Sequence, residues 1–131
     1  MPALNFLARW VDAVEIGAQH ANGVYMSIGT TIPKRTTIRR WGRAWPGQTL
    51  HLYTGQRTAA CRKLGTAMCL FVTPFTVSES GVARLGEHVL NMAEFERLAR
   101  LDTAGQWGGS ELVAFLGESY GLPFDGGLIG W

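Results

Sequence analysis

Residues 46–54 read Pro-Gly-Gln-Thr-Leu-His-Leu-Tyr-Thr and carry the clearest structural signal in the chain. Pro46-Gly47 is a turn signal, and after it the apolar Leu50 and Leu52 alternate with more polar neighbours. A two-residue period of this kind is typical of a strand with one buried face. The pattern therefore predicts a half-buried β-strand over 49–54.

Further strands are predicted on both sides of this one. Residues 66–77 are β-branched and apolar, with Pro74 marking a bulge or a sheet edge, and the cation-rich 55–65 segment before them is expected to be a loop. Shorter strand patterns cover 24–28, 36–40, 82–85 and 128–131. We expect 48–54 and 66–77 to pair antiparallel around one core, closed by the last strand and filled by Leu50, Leu52, Met68, Leu70 and Val72.

Helical patterns flank these strands. Leu4, Leu7, Trp10, Val11 and Val14 recur at helical spacing, which predicts a helix over 3–16 ending at Gly17. Later in the chain, a capping-box pattern predicts a helix from Asn91 to about Leu101, and a second one is expected from Ser110 to Tyr120 before Gly121. This order of elements predicts an α+β fold, a small mixed β-barrel with flanking helices.

Length and composition fit one folded domain over residues 1–131. The chain of 131 residues is 47% hydrophobic and 17% charged, which supports a core and argues against wholesale disorder. It lacks both an apolar run of about 20 residues and an amino-terminal leader pattern, so a cytoplasmic protein without a membrane segment is expected. Cys61 and Cys69 are expected to be structural thiols, and the scattered histidines show no ligand spacing, so no metal and no cofactor is predicted.

The charges are distributed unevenly along the chain. Residues 1–66 hold nine basic and two acidic groups, whereas residues 67–131 hold three basic and eight acidic ones. No carboxylate occurs between Glu15 and Glu79, and the 34–63 stretch carries eight cations. Such a stretch attracts phosphates, since arginine offers a planar fork for bidentate contact. The alternative is that these cations pair with the acidic carboxy-terminal half.

Three segments carry a family resemblance. Lys34-Arg35-Thr36-Thr37-Ile38-Arg39 resembles the Lys-x-x-Thr-Ile-Arg signature of the ASCH domain family, small PUA-like β-barrels related to an RNA-binding domain. Residues 46–55 look like the family's second strand, and the 57–64 and 120–131 segments look like a phage- and prophage-associated subgroup. Compared with the family, residues 18–33 look like an insertion between the helix-ending glycine and the signature lysine.

The resemblance also implies a catalytic trio. Family members that act as acetylcytidine amidohydrolases appear to use the signature lysine and threonine together with a downstream glutamate. Lys34 and Thr37 match the first two, and Asp102, which is one methylene shorter, falls near the third. A lysine whose pKa is depressed can serve as general base for a threonine hydroxyl, with a carboxylate orienting it. The alternative is a strand threonine, a solvated lysine and a polar helix end.

Binding is predicted from the residues themselves. The stretch Arg39-Arg40-Trp41-Gly42-Arg43-Ala44-Trp45 interleaves cations with flat rings, the combination that single-stranded RNA readers use. Trp41 and Trp45 could equally be core residues. The predicted nucleic-acid-binding set is Arg39, Arg40, Trp41, Arg43, Tyr53, Arg57, Arg62 and Lys63.

Three functions remain open on the sequence. The first is an RNA- or nucleotide-binding protein with a basic, aromatic-lined cleft, whose partner is single-stranded RNA or a modified nucleoside. The second is a hydrolase, an amidohydrolase acting on a modified nucleoside or a ribonuclease. The third is a phage accessory protein that binds a host protein through the basic face or the 18–33 insertion.

Overall fold

The computed structural model describes residues 2–24 and 31–131, and this part of the chain is mixed α+β. The α+β class predicted from the sequence is confirmed. The strands are β1 (Ala3–Phe6), β2 (Thr36–Arg40), β3 (Thr49–Thr54), β4 (Arg62–Met68), β5 (Phe71–Val77), β6 (Ala83–Leu85), β7 (His88–Val89) and β8 (Phe124–Gly130). The helices are a 3-10 helix (Ala8–Trp10), α1 (Val11–Ala21), α2 (Met92–Asp102) and α3 (Gly109–Tyr120).

The strands form two sheets. One has the order β1-β3-β4, with β1 parallel to β3, and the other has the antiparallel order β2-β8-β5-β6-β7. Within the described residues the strand pairings give two open sheets and no closed barrel, so the barrel expected from the sequence is not what these strands form.

Two hydrophobic cores lie on either side of β8. Ile129 belongs to the core that packs against the three-stranded sheet and α1, whereas Leu128 belongs to the core beneath α2 and α3. Successive side chains of a strand point to opposite faces, so one strand contributes to both cores. This arrangement brings β2, which pairs with β8, between the two cores.

The helix predicted over 3–16 is wrong at its start. Residues 3–6 form β1, in register with β3, and α1 begins only at Val11 and continues past Gly17 to Ala21. Leu4 and Phe6 point into the core from alternate positions of a strand, which satisfies their burial as well as a helix would. Gly17 has a different role, described below.

The long strand predicted over 66–77 is divided between the two sheets. β4 ends at Met68 and β5 starts at Phe71, so only the first part pairs antiparallel with β3, as predicted. Met68 and Leu70 flank the break and are 61% and 58% exposed, so neither fills the core. The expected loop over 55–65 is shorter than predicted, since β4 begins at Arg62.

The other elements follow their sequence signals. Asn91 and Glu94 form the predicted capping box at the start of α2, and Gly121 follows the end of α3. The closing strand is longer than predicted, because β8 begins at Phe124. Of the 18–33 insertion, residues 18–21 belong to α1, and most of the strand expected over 24–28 lies outside the described residues.

Candidate functional site

Lys34 is placed by a close contact with α1. Its backbone N–H donates to the carbonyl of Ala13 at 2.9 Å. A Cβ atom on Gly17 would stand 1.9 Å from the Lys34 carbonyl oxygen, so only glycine permits this approach. The lysine therefore lies against the helix, and its residue is only 3% exposed.

The buried amine of Lys34 faces the end of α2. Nζ donates to the backbone carbonyl of Asp102 and lies 3.4 Å from the Oδ1 atom of the same residue. The rings of Phe6 and Trp10 lie 5.9 and 5.6 Å away, measured to their centroids. Burial lowers the pKa of Lys34, and the neighbouring Asp102 carboxylate partly opposes that shift.

Asp102, at the end of α2, faces Lys34 across the site. It is the last residue of α2 and is 5% exposed. Its Oδ1 atom accepts a hydrogen bond from the Thr36 hydroxyl at 2.7 Å, in addition to facing Lys34. The carboxylate thus joins α2 to both the start of β2 and the segment that carries the lysine.

Thr37 and Arg39 complete the polar wall. The Thr37 hydroxyl is buried, and its oxygen accepts from Arg39 Nε at 3.0 Å. Arg39 Nη2 donates to the Asn5 carbonyl at 2.7 Å, and the guanidinium lies 5.0 Å from the Phe6 ring centroid. Burial is the main cause that lowers the pKa of Arg39. The arginine therefore links β2 to β1, between the two sheets.

These polar groups line one cavity of about 180 Å³. Lys34, Thr37 and Asp102, which the sequence analysis grouped through a resemblance, all contribute to its wall together with Arg39. The rest of the wall is largely apolar and includes the rings of Phe6, Trp10, Trp107, Phe115 and Tyr120. The cavity thus combines flat apolar surfaces with a few convergent polar groups, which is the usual composition of a small-molecule site.

A second, more open depression has a volume of about 610 Å³. Arg43, Trp45 and Arg57 contribute to its lining, together with Gln48 and Gln56. The Gln56 backbone N–H donates to the side-chain oxygen of Asn5 at 2.9 Å, and Asn5 in turn lines the buried cavity. One hydrogen bond therefore links the walls of the two concavities.

The predicted nucleic-acid-binding residues fall into separate groups. Arg39 lines the buried cavity, while Arg43 and Arg57 line the open depression. Arg40 and Trp41 are exposed near the carboxy-terminal segment, bonded to the Tyr120 carbonyl at 2.8 Å and to Asp125 Oδ1 at 2.9 Å respectively.

The remaining three lie on the β3–β4 hairpin. Arg62 forms an ion pair with Glu15 at 2.6 Å, so one cation of the stretch is neutralised by an acid of its own half of the chain. Lys63 lies 5.8 Å from the Tyr53 ring centroid and 3.0 Å from His51 Nδ1. The structure therefore does not unite the eight residues on one surface.

Several wall residues were absent from the sequence-based site. Asn5 and Phe6 line the cavity because β1 brings them there, and Thr36 at the start of β2 contacts the trio through its hydrogen bond to Asp102. The signal for β1 was the alternation of Leu4, Asn5 and Phe6, which is visible in the sequence but is masked by an overlapping helical spacing. Trp10 and Trp107 pack edge to face at the cavity wall, with ring centroids 5.1 Å apart.

Comparisons of the chain with protein-family models, curated proteins and solved structures give no match. No His, Cys, Asp and Glu side chains of the described residues gather in a group of three or more that could hold a metal ion. Over the same residues, no helix has the length and apolar character needed to cross a bilayer.

Proposed function

We propose that the chain binds a nucleobase, as part of RNA or of a nucleotide, in the cavity around Lys34. The observation that carries this proposal is the buried pair of Lys34 and Asp102 in the wall of a cavity that also presents five aromatic rings. Burial of two opposite charges is expensive and stabilises a fold no better than apolar packing does. Burial lowers the pKa of Lys34, and an ionisable group with a perturbed pKa in a concave site is a common mark of function.

The chemistry of the wall suits a flat heterocycle. The rings of Phe6, Trp10 and Tyr120 offer apolar surfaces on which a base could lie. Lys34 Nζ and the Thr37 hydroxyl supply donors, and the Asp102 carboxylate supplies an acceptor, for the polar edge of the base. The resemblance to the PUA-like ASCH family supports the same class of ligand.

Calorimetric titration with the four ribonucleosides tests the proposal. We expect saturable binding of at least one nucleoside and its loss in Lys34→Met, which keeps the length of the side chain but removes the donor. Arg84→Gln, which changes an exposed arginine of β6, is the control that should bind like the wild type. A folded wild-type protein that binds no nucleoside, nucleotide or single-stranded RNA at low salt would contradict the proposal.

Hydrolysis of a modified nucleoside is a second candidate function, favoured by the convergence of Lys34, Thr37 and Asp102 on one cavity. In this proposal a neutral Lys34 accepts the proton of the Thr37 hydroxyl, whose oxygen attacks the amide carbon. The proton then passes to the departing amine, and water releases the acyl group from the threonine. Burial favours the neutral lysine that the first step needs. Cleavage of RNA itself is the other reaction that this site could support.

Release of acetate from an acetylated cytidine tests the hydrolase. Lys34→Ala, Thr37→Ala and Asp102→Ala should each abolish turnover, and the losses should not add, because the three groups act as a unit. Asp102→Glu restores the side-chain length that the resemblance implies, so an inactive wild type and an active Asp102→Glu variant would identify a lapsed hydrolase. If no form turns over an acetylated nucleoside or RNA while nucleosides bind, the binding function remains.

A further inference from the structure

The open depression carries positive charge from two arginines. Among the described residues, Arg43 and Arg57 line it and no aspartate or glutamate does. Neither arginine takes part in the ion pairs found among residues 2–24 and 31–131. Two unpaired guanidinium groups beside one concavity create a field that favours an anion, and arginine matches the geometry of phosphate oxygens.

The loop that presents Arg57 is ordered by its own hydrogen bonds. The Thr58 hydroxyl donates to the Gly55 carbonyl at 2.6 Å and accepts from the Ala60 N–H at 3.1 Å. Arg57 itself has a φ of 65°, a left-handed conformation that is unfavourable for a residue with a Cβ atom. Such strain persists where the surrounding structure imposes it, and it is concentrated at functional sites.

Residues of the depression interact with residues of the cavity wall. Asn5 lines the cavity and accepts from the backbone of Gln56, which lines the depression. Burial is the main cause of the lowered pKa of Arg39, and repulsion from the charge of Arg43 adds to it, so the arginines of the two concavities interact electrostatically. Trp45, which is 57% exposed, adds a flat face at the same depression.

We propose that the depression lined by Arg43 and Arg57 is a phosphate subsite, which holds a phosphate group attached to the nucleoside whose base occupies the cavity. This inference rests on the proposed function, because it assigns the part of the ligand that lies outside the cavity. Two sources share this chemistry, the terminal phosphate of a mononucleotide and the internal phosphodiester of a strand. The Trp45 ring then lies where an adjoining base or sugar would pass.

The test compares ligands that differ only in their phosphate. The probes are cytidine, cytidine 5′-monophosphate, cytidine 3′-monophosphate and the dinucleotide CpC. If the nucleoside that binds is adenosine, guanosine or uridine, the equivalent series of that nucleoside is used. Each probe is titrated into the full chain at two salt concentrations. We expect at least one phosphorylated probe to bind about tenfold more tightly than the nucleoside at low salt, with the gain shrinking as salt rises. Arg43→Gln and Arg57→Gln should each remove most of the gain, and Arg84→Gln should retain it.

The outcomes separate the sources and the hypotheses. A gain with a monophosphate assigns a terminal phosphate, and a gain with CpC alone assigns a phosphodiester; both support the subsite. Equal affinity for the nucleoside and all phosphorylated probes overturns the subsite but leaves the proposed function intact. An equal loss in Arg84→Gln and Arg57→Gln also overturns it, because the gain would then reflect net charge. If no probe binds, both the subsite and the proposed function fail.

Discussion

The Nζ atom of Lys34 and the Oδ1 atom of Asp102 lie 3.4 Å apart, although the two residues are 68 positions apart in the chain. Both side chains are almost entirely withdrawn from water. The contact joins the segment before β2 to the end of α2, so it belongs at once to the fold and to the wall of the cavity.

The pair should show strong energetic coupling. Asp102→Asn leaves a buried ammonium without its counter-charge, and Lys34→Met leaves a buried carboxylate, so each should lower the free energy of unfolding by about 3–5 kcal/mol. The double variant removes both charges and should lose less than the sum of the two single losses. Urea denaturation of the wild type, the two single variants and the double variant measures this double-mutant cycle. Strictly additive losses of stability would show that the two charges do not interact.

Lys34 should also make stability depend on alkaline pH. Because burial lowers its pKa, the unfolded chain binds this proton more tightly than the folded one. The contribution of Lys34 to the free energy of unfolding should therefore rise with pH between the lowered folded-state pKa and the ordinary value of 10.5. Comparison of the wild type with Lys34→Met in urea, from about pH 7 to pH 10, should show a widening advantage for the wild type.

A second lysine variant serves as the control for the pH experiment on Lys34. Lys63→Met removes a lysine that is exposed on β4, and measuring it over the same pH range controls for the loss of a lysine charge as such. A wild-type advantage over Lys34→Met that shrinks as pH rises would mean that attraction to Asp102, and not burial, dominates the titration of the lysine.

Two glycines of helices should respond oppositely to alanine. In Gly17→Ala the new methyl would overlap the Lys34 backbone, so we expect a loss of about 1–3 kcal/mol or more and weaker ligand binding. In Gly117→Ala of α3 the nearest atoms belong to the Leu122 side chain at 3.7 and 3.8 Å, which is ordinary contact. This variant should gain about 0.5–1 kcal/mol from helix propensity. Thermal unfolding of both variants measures these changes in stability. If Gly17→Ala were as stable as the wild type, the close approach of Gly17 to the Lys34 backbone would be refuted.

The strain at Arg57 can be measured directly. Arg57→Gly relieves the left-handed backbone, whereas Arg57→Ala removes the same charge but keeps a Cβ atom. We expect the glycine variant to be more stable than the alanine variant by about 0.5–1 kcal/mol, with both equally impaired toward phosphorylated ligands. Equal stability of the two would indicate that Arg57 is not held in this conformation in solution.

The two thiols should differ in reactivity. Cys61 is exposed beside the phosphate subsite, while Cys69 is buried, and burial raises the pKa of its thiol. Alkylation of the folded protein should therefore modify one cysteine, identified by mass spectrometry, and the second should react only in denaturant. Cys61→Ser should be unreactive when folded, and rapid modification of that variant would contradict the burial of Cys69.

The elements predicted correctly are those whose signals are local. The alternation over 49–54 and the capping box of Asn91 and Glu94 are each complete within a few residues, and both elements formed where expected. The helix predicted at the start of the chain was wrong because the position of Leu4 fits a strand and a helix equally well. Only its parallel pairing with β3, a contact across about 48 residues, decides between the two.

The site was predictable in part for a similar reason. The short signature around Lys34 and Thr37 indicated a cavity, and its resemblance to a family indicated where Asp102 belongs. The distribution of the arginines was not predictable, because neighbours such as Arg39 and Arg40 point to opposite sides of β2. One lies in the buried wall, and the other is exposed against Tyr120.

The two hydrogen bonds of Lys34 determine where this protein can be modified. Its backbone N–H donates to Ala13 on α1, where Gly17 allows the close approach, and its amine donates to Asp102 on α2. The position of the amine is therefore set by two helices. The exposed turn at Gly23, which follows α1, is the natural place to insert a peptide tag or a reporter, since an insertion there removes neither of these hydrogen bonds.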